Sequence, residues 1–263
     1  MRLLTTSVLI SFCLYLPVLA ESYQVTDITW QIEDEAFAGK LVYPSNTDGD
    51  LPGLLMIPNW MGPTDQSLEK AKRVAGDRYI VLMADLYGTE VRPANPSEAS
   101  QAAGFLRGDT DLMRKRGEAA LEALLNVDES IPLDRERIGA IGFCFGGGAI
   151  LELARSGAQL DGLVGFHGNL LSPTLGSDAG QTKGKILILH GAADPAVTLD
   201  EVHAFSEIMA ETEVDWEVII YSGAVHSFTN PHADNPGRSE YHPDVARRAF
   251  EAMDRFFDRV WSD

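Results

Sequence analysis

An α/β fold, with a mostly parallel central sheet and helices on both faces, is predicted by three observations. Near-continuous apolar runs recur along the chain, as expected of parallel strands covered on both sides. Each inner run is followed by a stretch with apolar residues at three- and four-residue spacing. No repeat, low-complexity tract or Pro/Gly/Ser-rich linker interrupts this alternation, so residues 21–263 are expected to form one domain.

Two segments of strand character come first, "YQVTDITW" from Tyr23 and "FAGKLVYP" from Phe37, and predict an antiparallel start to the sheet. Inner strands are expected at 53–58, 79–86, 137–143, 162–168, 185–191 and 215–222. Helical patterns occupy 65–77, 97–107, 109–126, 146–156, 198–211 and 243–261. Ser97 supplies a cap signal for the second of these, and Pro243 opens the last.

The chain has 263 residues and a formal net charge of −18, with no long Lys/Arg run. Such an acidic surface repels phosphate backbones, so no nucleic acid is expected as a partner. The start, "MRLLTTSVLISFCLYLPVLA", has a minimal basic n-region at Arg2, a short apolar h-region and a small residue at Ala20. It predicts a signal peptide over 1–20 and an exported chain, periplasmic or secreted, with no stable membrane insertion once the signal is gone. The alternative is an uncleaved anchor, for which the apolar run is short. Of the two cysteines, Cys13 lies in that segment, so the mature chain keeps Cys144 alone. A single thiol in an oxidising compartment has no intramolecular disulfide partner.

Ligands of parallel sheets bind at the carboxyl ends of the strands. There, "GFCFG" (142–146) has the form Gly-x-nucleophile-x-Gly. A nucleophile on a tight strand-to-helix turn needs glycine two positions to either side, where side chains would strike neighbouring elements. The helix that follows directs N–H groups at Cys144, which lowers a thiol's pKa and stabilises an oxyanion. The glycines match neither a dinucleotide fingerprint nor a phosphate loop. A structural turn with an inert cysteine is the competing reading of the pentapeptide alone. Asp194, just past "ILILHG", and His226, just past "VIIYS", follow the nucleophile in the chain order Cys-Asp-His of a hydrolase triad. His167 and His190 end strands and either line the cleft or serve the core. No zinc-ligand spacing occurs, and neither a metal nor a cofactor is expected.

With "GFCFGG", "GAADP", "GAVHSFTNP", "DLYG" and the ending "YHPDVARRAFEAMDRFF", the chain resembles the dienelactone hydrolase family of α/β-hydrolases over roughly residues 25–261. The resemblance implies that Cys144 attacks a small-molecule ester or lactone carbonyl, that His226 shuttles the proton and that Asp194 orients the imidazole. It implies an oxyanion hole built from the N–H groups of Trp60 and Phe145. Trp60 and Tyr87, each just past a strand, are expected to wall an apolar pocket, and Asn59 to line the substrate site.

Two departures stand out. The family's activating glutamate is replaced by Asn59, so His226 alone is expected to ionise the thiol. Its two carboxylate-binding arginines are replaced by Thr89 and Asn230, with Arg92 the nearest cation in sequence, which argues against a dicarboxylate-like substrate. A peptidase on this fold is disfavoured because no cap or propeller domain is present. A non-catalytic binding protein that keeps the fold is the alternative from another class.

Overall fold

The computed structural model describes residues 22–262; the expected signal peptide, 1–20, lies outside the described residues. Eight strands form one sheet: β1 (Tyr23–Ile32), β2 (Glu35–Pro44), β3 (Leu51–Ile57), β4 (Ile80–Met83), β5 (Leu133–Phe143), β6 (Gly162–Phe166), β7 (Lys185–Gly191) and β8 (Trp216–Tyr221). Their spatial order is β1-β2-β4-β3-β5-β6-β7-β8. The first two are antiparallel to their neighbours, while β4 through β8 run parallel. The predicted antiparallel start and parallel body are both observed.

Helices α1 (Asp65–Ala75), α2 (Pro96–Arg107), α3 (Thr110–Leu125), α4 (Phe145–Arg155), α6 (Leu199–Met209) and α7 (Pro243–Val260) match the six periodic stretches. Their starts follow from local chemistry. The side chains of Thr64, Asn95, Asp109 and Thr198 accept N–H bonds from the first turns of α1, α2, α3 and α6, which satisfies otherwise orphaned donors. The short helix α5 (Leu175–Asp178), a 3-10 turn at Ala179–Gln181, and the two-residue strands β9 (Asp234–Asn235) and β10 (Ser239–Glu240) carry too little periodicity to be read from sequence.

Two buried layers flank the sheet. One collects Leu55, Leu82, Ala140 and Leu163 against α3 and α4 residues such as Leu121, Leu124 and Ile150. The other collects Met56, Val81, Ile141, Val164 and Leu187 against α1 and α7. Side chains alternate between these faces along each strand, as the two-residue period requires.

A buried ionic cluster ties the β6–β7 connection to this frame. Arg114 on α3 bonds Glu152 on α4 at 2.7 Å and also pairs with Asp178. Arg155 pairs with both acids, reaching Asp178 at 3.1 Å. Two cations and two anions neutralise one another, which makes their burial tolerable.

Candidate active site

The nucleophile turn sits at the centre of the sheet, where β5 runs straight into α4. Cys144 adopts φ 56° and ψ −116°, a backbone conformation an L-residue seldom takes. Its N–H donates to the carbonyl of Phe166 at 3.0 Å, pinning the turn to the neighbouring strand. A Cβ on Gly142 would lie 2.1 Å from the carbonyl oxygen of Gly146, and one on Gly146 would lie 2.1 Å from that of Ile57. Both glycines are therefore sterically required. Gly147 and Gly148 make room for the loop after β6, where their added Cβ atoms would meet Gly168 at 2.8 Å and Asn169 at 3.3 Å.

Asp194, on the loop after β7, is buried. Its Oδ1 accepts the N–H groups of Ala196 (2.8 Å) and Val197 (3.1 Å), which leaves Oδ2 to accept from His226 Nδ1 at 2.8 Å. His226 follows β8, and Ser227 beside it takes φ 58°. The His226 carbonyl accepts from Glu240 N–H at 3.1 Å, so the β10 segment holds the loop from outside. Cys144 is the other ionisable neighbour of the imidazole, and each group shifts the other's pKa. Structure thus brings together all three residues expected from their order in the chain.

Electrostatics favour an ion pair. Burial opposes ionisation of Cys144, but the hydrogen bond and charge of His226, the Phe145 N–H and Arg107 outweigh it and lower the thiol's pKa. Burial likewise disfavours the charged imidazole, yet the bonds to Asp194 and Cys144 push His226 up to about 10. Both shifts favour a thiolate–imidazolium pair over the neutral pair.

Of the two expected oxyanion donors, the Phe145 N–H favours the ionised form of Cys144. The Trp60 loop is braced on both sides: the Asn59 side-chain oxygen accepts from Met61 N–H at 3.0 Å, and the Asn59 carbonyl from Gly62 N–H at 2.9 Å. Tyr87 is only 3 % exposed, and its hydroxyl donates to the Trp60 carbonyl at 2.9 Å. Tyr87 therefore braces the Trp60 loop, and its ring lies tilted against Phe145, 5.6 Å between centroids. Asn59, its oxygen spent on the turn, lines a small recess with Lys70, Phe143 and Asn230.

Arg92 does not stand in for a carboxylate-binding arginine. It bonds buried Asp85 at 2.8 Å, and Asp85 in turn accepts the N–H of Tyr87 at 2.8 Å. One cation that favours the thiolate is Arg107, at the end of α2, 5.6 Å from the Phe145 ring centroid and bonded to Asn169 at 2.9 Å. It borders a cavity of about 120 Å³ together with Phe145, Gly148, Asn169 and Leu171.

His167, which the sequence left between cleft and core, belongs to both: it is 1 % exposed, and its ring lies edge-on to His226 at 5.1 Å. Burial, with the positive charges of His226 and Lys70, holds it well below the ordinary histidine value, hence neutral. His190 is fully buried and also held neutral by burial. His242 caps α7. No group of three or more metal-ligating side chains converges among the described residues.

Comparison with known proteins agrees with this geometry. The chain is 36% identical to a solved protein called m3DLH, with a TM-score of 0.83 and coverage of 90% of this chain and 98% of that one. It is 33% identical, at the same TM-score and coverage, to a dienelactone hydrolase-like promiscuous phosphotriesterase from metagenomic libraries. A putative carboxymethylenebutenolidase of Salmonella typhimurium is 24% identical over 227 residues, 81% of this chain and 79% of the relative. The model of the dienelactone hydrolase family matches residues 37–261, and the chain belongs to that family of ester and lactone hydrolases.

Proposed function

We propose that the protein hydrolyses small carboxylic esters or lactones through a thioester acyl-enzyme on Cys144. The observation that carries this reading is the strained Cys144 turn aligned with the 2.8 Å His226–Asp194 bond. The thiolate attacks the carbonyl carbon, and the N–H groups of Phe145 and Trp60 receive the negative charge of the tetrahedral oxygen. His226, protonated in the resting pair, gives its proton to the leaving alkoxide as the carbon–oxygen bond breaks. The neutral imidazole then takes a proton from water, which attacks the thioester, and the thiolate leaves to restore the pair. Acid–base transfer of this kind contributes roughly 10²–10⁴-fold, and each oxyanion donor roughly 10²–10³-fold.

The test is incubation of the purified mature protein with a short-chain aryl ester. A burst of phenol and an acyl mass on Cys144, both abolished by Cys144→Ala, support the reading. No acyl adduct across an ester and lactone panel supports a binding protein on the same fold. A neutral aryl phosphotriester belongs in the panel because a 33% identical relative is described as a promiscuous phosphotriesterase. We further infer that residues 1–20 direct export, giving a periplasmic or secreted enzyme of residues 21–263. N-terminal sequencing of the mature chain, expected to begin at Glu21, tests this.

A further inference from the structure

Asn59 cannot exchange a proton with the nucleophile, and the ionisable group in the recess that it lines is Lys70. We propose that Lys70 is a positioning residue for the nucleophile: its ammonium, held over Phe143 and bonded to Thr229, keeps a positive charge beside the Cys144 sulfur. The inference deepens the proposed cysteine mechanism and rests on it.

Lys70 lies on the inward face of α1, in helical register with buried Ser67, Ala71 and Val74. Its Nζ stands 4.3 Å from the centroid of the Phe143 ring, the residue immediately before Cys144. Phe143 is itself fixed by stacking on Phe166 at 4.6 Å. The same Nζ donates to Thr229 Oγ1 at 3.4 Å, and Thr229 Oγ1 lies 2.9 Å from His167 Nε2. Thr229 Oγ1 and His167 Nε2 share one hydrogen bond, and burial keeps the His167 ring neutral. A neutral ring at that position spares the His226 imidazolium a cationic neighbour 5.1 Å away.

The groups facing Lys70 from each packed element are few. Its own helix supplies Arg73, whose guanidinium is drawn away over the Phe250 ring at 4.1 Å. The loop after β3 supplies Asn59, and the loop after β8 supplies Thr229 and Asn230. The loop after β6 supplies neutral His167. The turn before α4 supplies Cys144. The hydrogen-bond partner of Lys70 is a hydroxyl rather than a carboxylate, and an ionised Cys144 favours the ammonium. Burial lowers Lys70 to about 8, partly countered by the thiolate and reinforced by Arg73. The charge is thus fully present below that pH and lost above it. When His226 surrenders its proton to the leaving alkoxide, Lys70 remains the cation beside the sulfur through deacylation.

The experiment measures iodoacetamide alkylation of Cys144 against pH, with kcat and KM for an aryl ester, in the full mature chain. Lys70→Met should move the alkylation midpoint up by about one pH unit, a tenfold change at fixed pH. It should lower kcat about tenfold at pH 7 with KM within twofold. Lys70→Gln serves as a second neutral variant should Lys70→Met misfold. Lys70→Arg, charged at every accessible pH, should keep the midpoint within 0.3 unit, a bound of about twofold. Alkylation profiles of the neutral variants that overlay the wild type overturn the proposal, as does an equal shift in Lys70→Arg and Lys70→Met. A shifted profile with no acyl adduct in any variant refutes the esterase reading while retaining the coupling. An acyl adduct with an unshifted profile refutes the coupling alone.

Discussion

Asp194→Asn tests the candidate triad most sharply, because the two carboxylate oxygens have different partners. Oδ1 takes two backbone N–H groups, at 2.8 and 3.1 Å, and Oδ2 takes the imidazole at 2.8 Å. In the asparagine variant the single amide oxygen is retained by Ala196 and Val197, so the NH₂ faces His226 Nδ1. That nitrogen must then accept, and the ring proton moves to the nitrogen facing the sulfur. A hydrogen bond between charged groups contributes about 1.5–3 kcal/mol, so its loss alone lowers the imidazole pKa by roughly one to two units. The wrong tautomer adds a larger penalty, since the ring can no longer take a proton. The expected fall in kcat/KM at pH 7 is roughly 10²–10⁴-fold, with the fold intact by circular dichroism and a slower alkylation of Cys144. Both rates staying within about threefold of wild type would refute the triad assignment.

Three further outcomes follow from the same geometry. His226 is raised to about 10, so its proton, and the stabilisation the pair gains from it, is fully present below the unfolded value near 6.5 and lost as pH rises through about 10. kcat/KM should therefore drop across that alkaline limit while alkylation of the thiolate does not, and a parallel drop in both would contradict the assignment. Gly146→Ala should destabilise by about 3 kcal/mol or more in urea unfolding, because the Cβ meets backbone at 2.1 Å, whereas Gly148→Ala, at 3.3 Å from the Asn169 side chain, should cost less than about 1 kcal/mol. Glu152→Ala leaves Arg155 and Arg114 to share Asp178 as their one buried anion and should cost about 3 kcal/mol, read as a fall in melting temperature.

The sheet was legible because each inner strand is an unbroken apolar run, and the helices because their apolar spacing is regular. Cys144, Asp194 and His226 were legible because the elbow spacing is a steric demand and the other two sit just past apolar strands. The surroundings of Tyr87 and Arg92 were not legible for one reason: position after a strand places a residue near the cleft but does not say which way it points. Tyr87 turned under the Trp60 loop, and Arg92 was captured by Asp85. Lys70 did leave a signal, a lysine in register with Ser67, Ala71 and Val74 on an otherwise inward face. Arg107 left none, since an arginine in the last turn of a helix is ordinary capping chemistry. His167 could be placed only once β6 and the loop after β8 were known to meet.

The nucleophile and the base come from opposite ends of the sheet's hierarchy. Cys144 grows out of a strand hemmed in by β3 and β6, whereas His226 follows β8, the margin, and is steadied by a two-residue ladder. Changes in the exposed stretch 235–238 therefore reach the His226 loop at the margin of the sheet, while the turn at Cys144 is closed in by backbone on every side where a Cβ would be added.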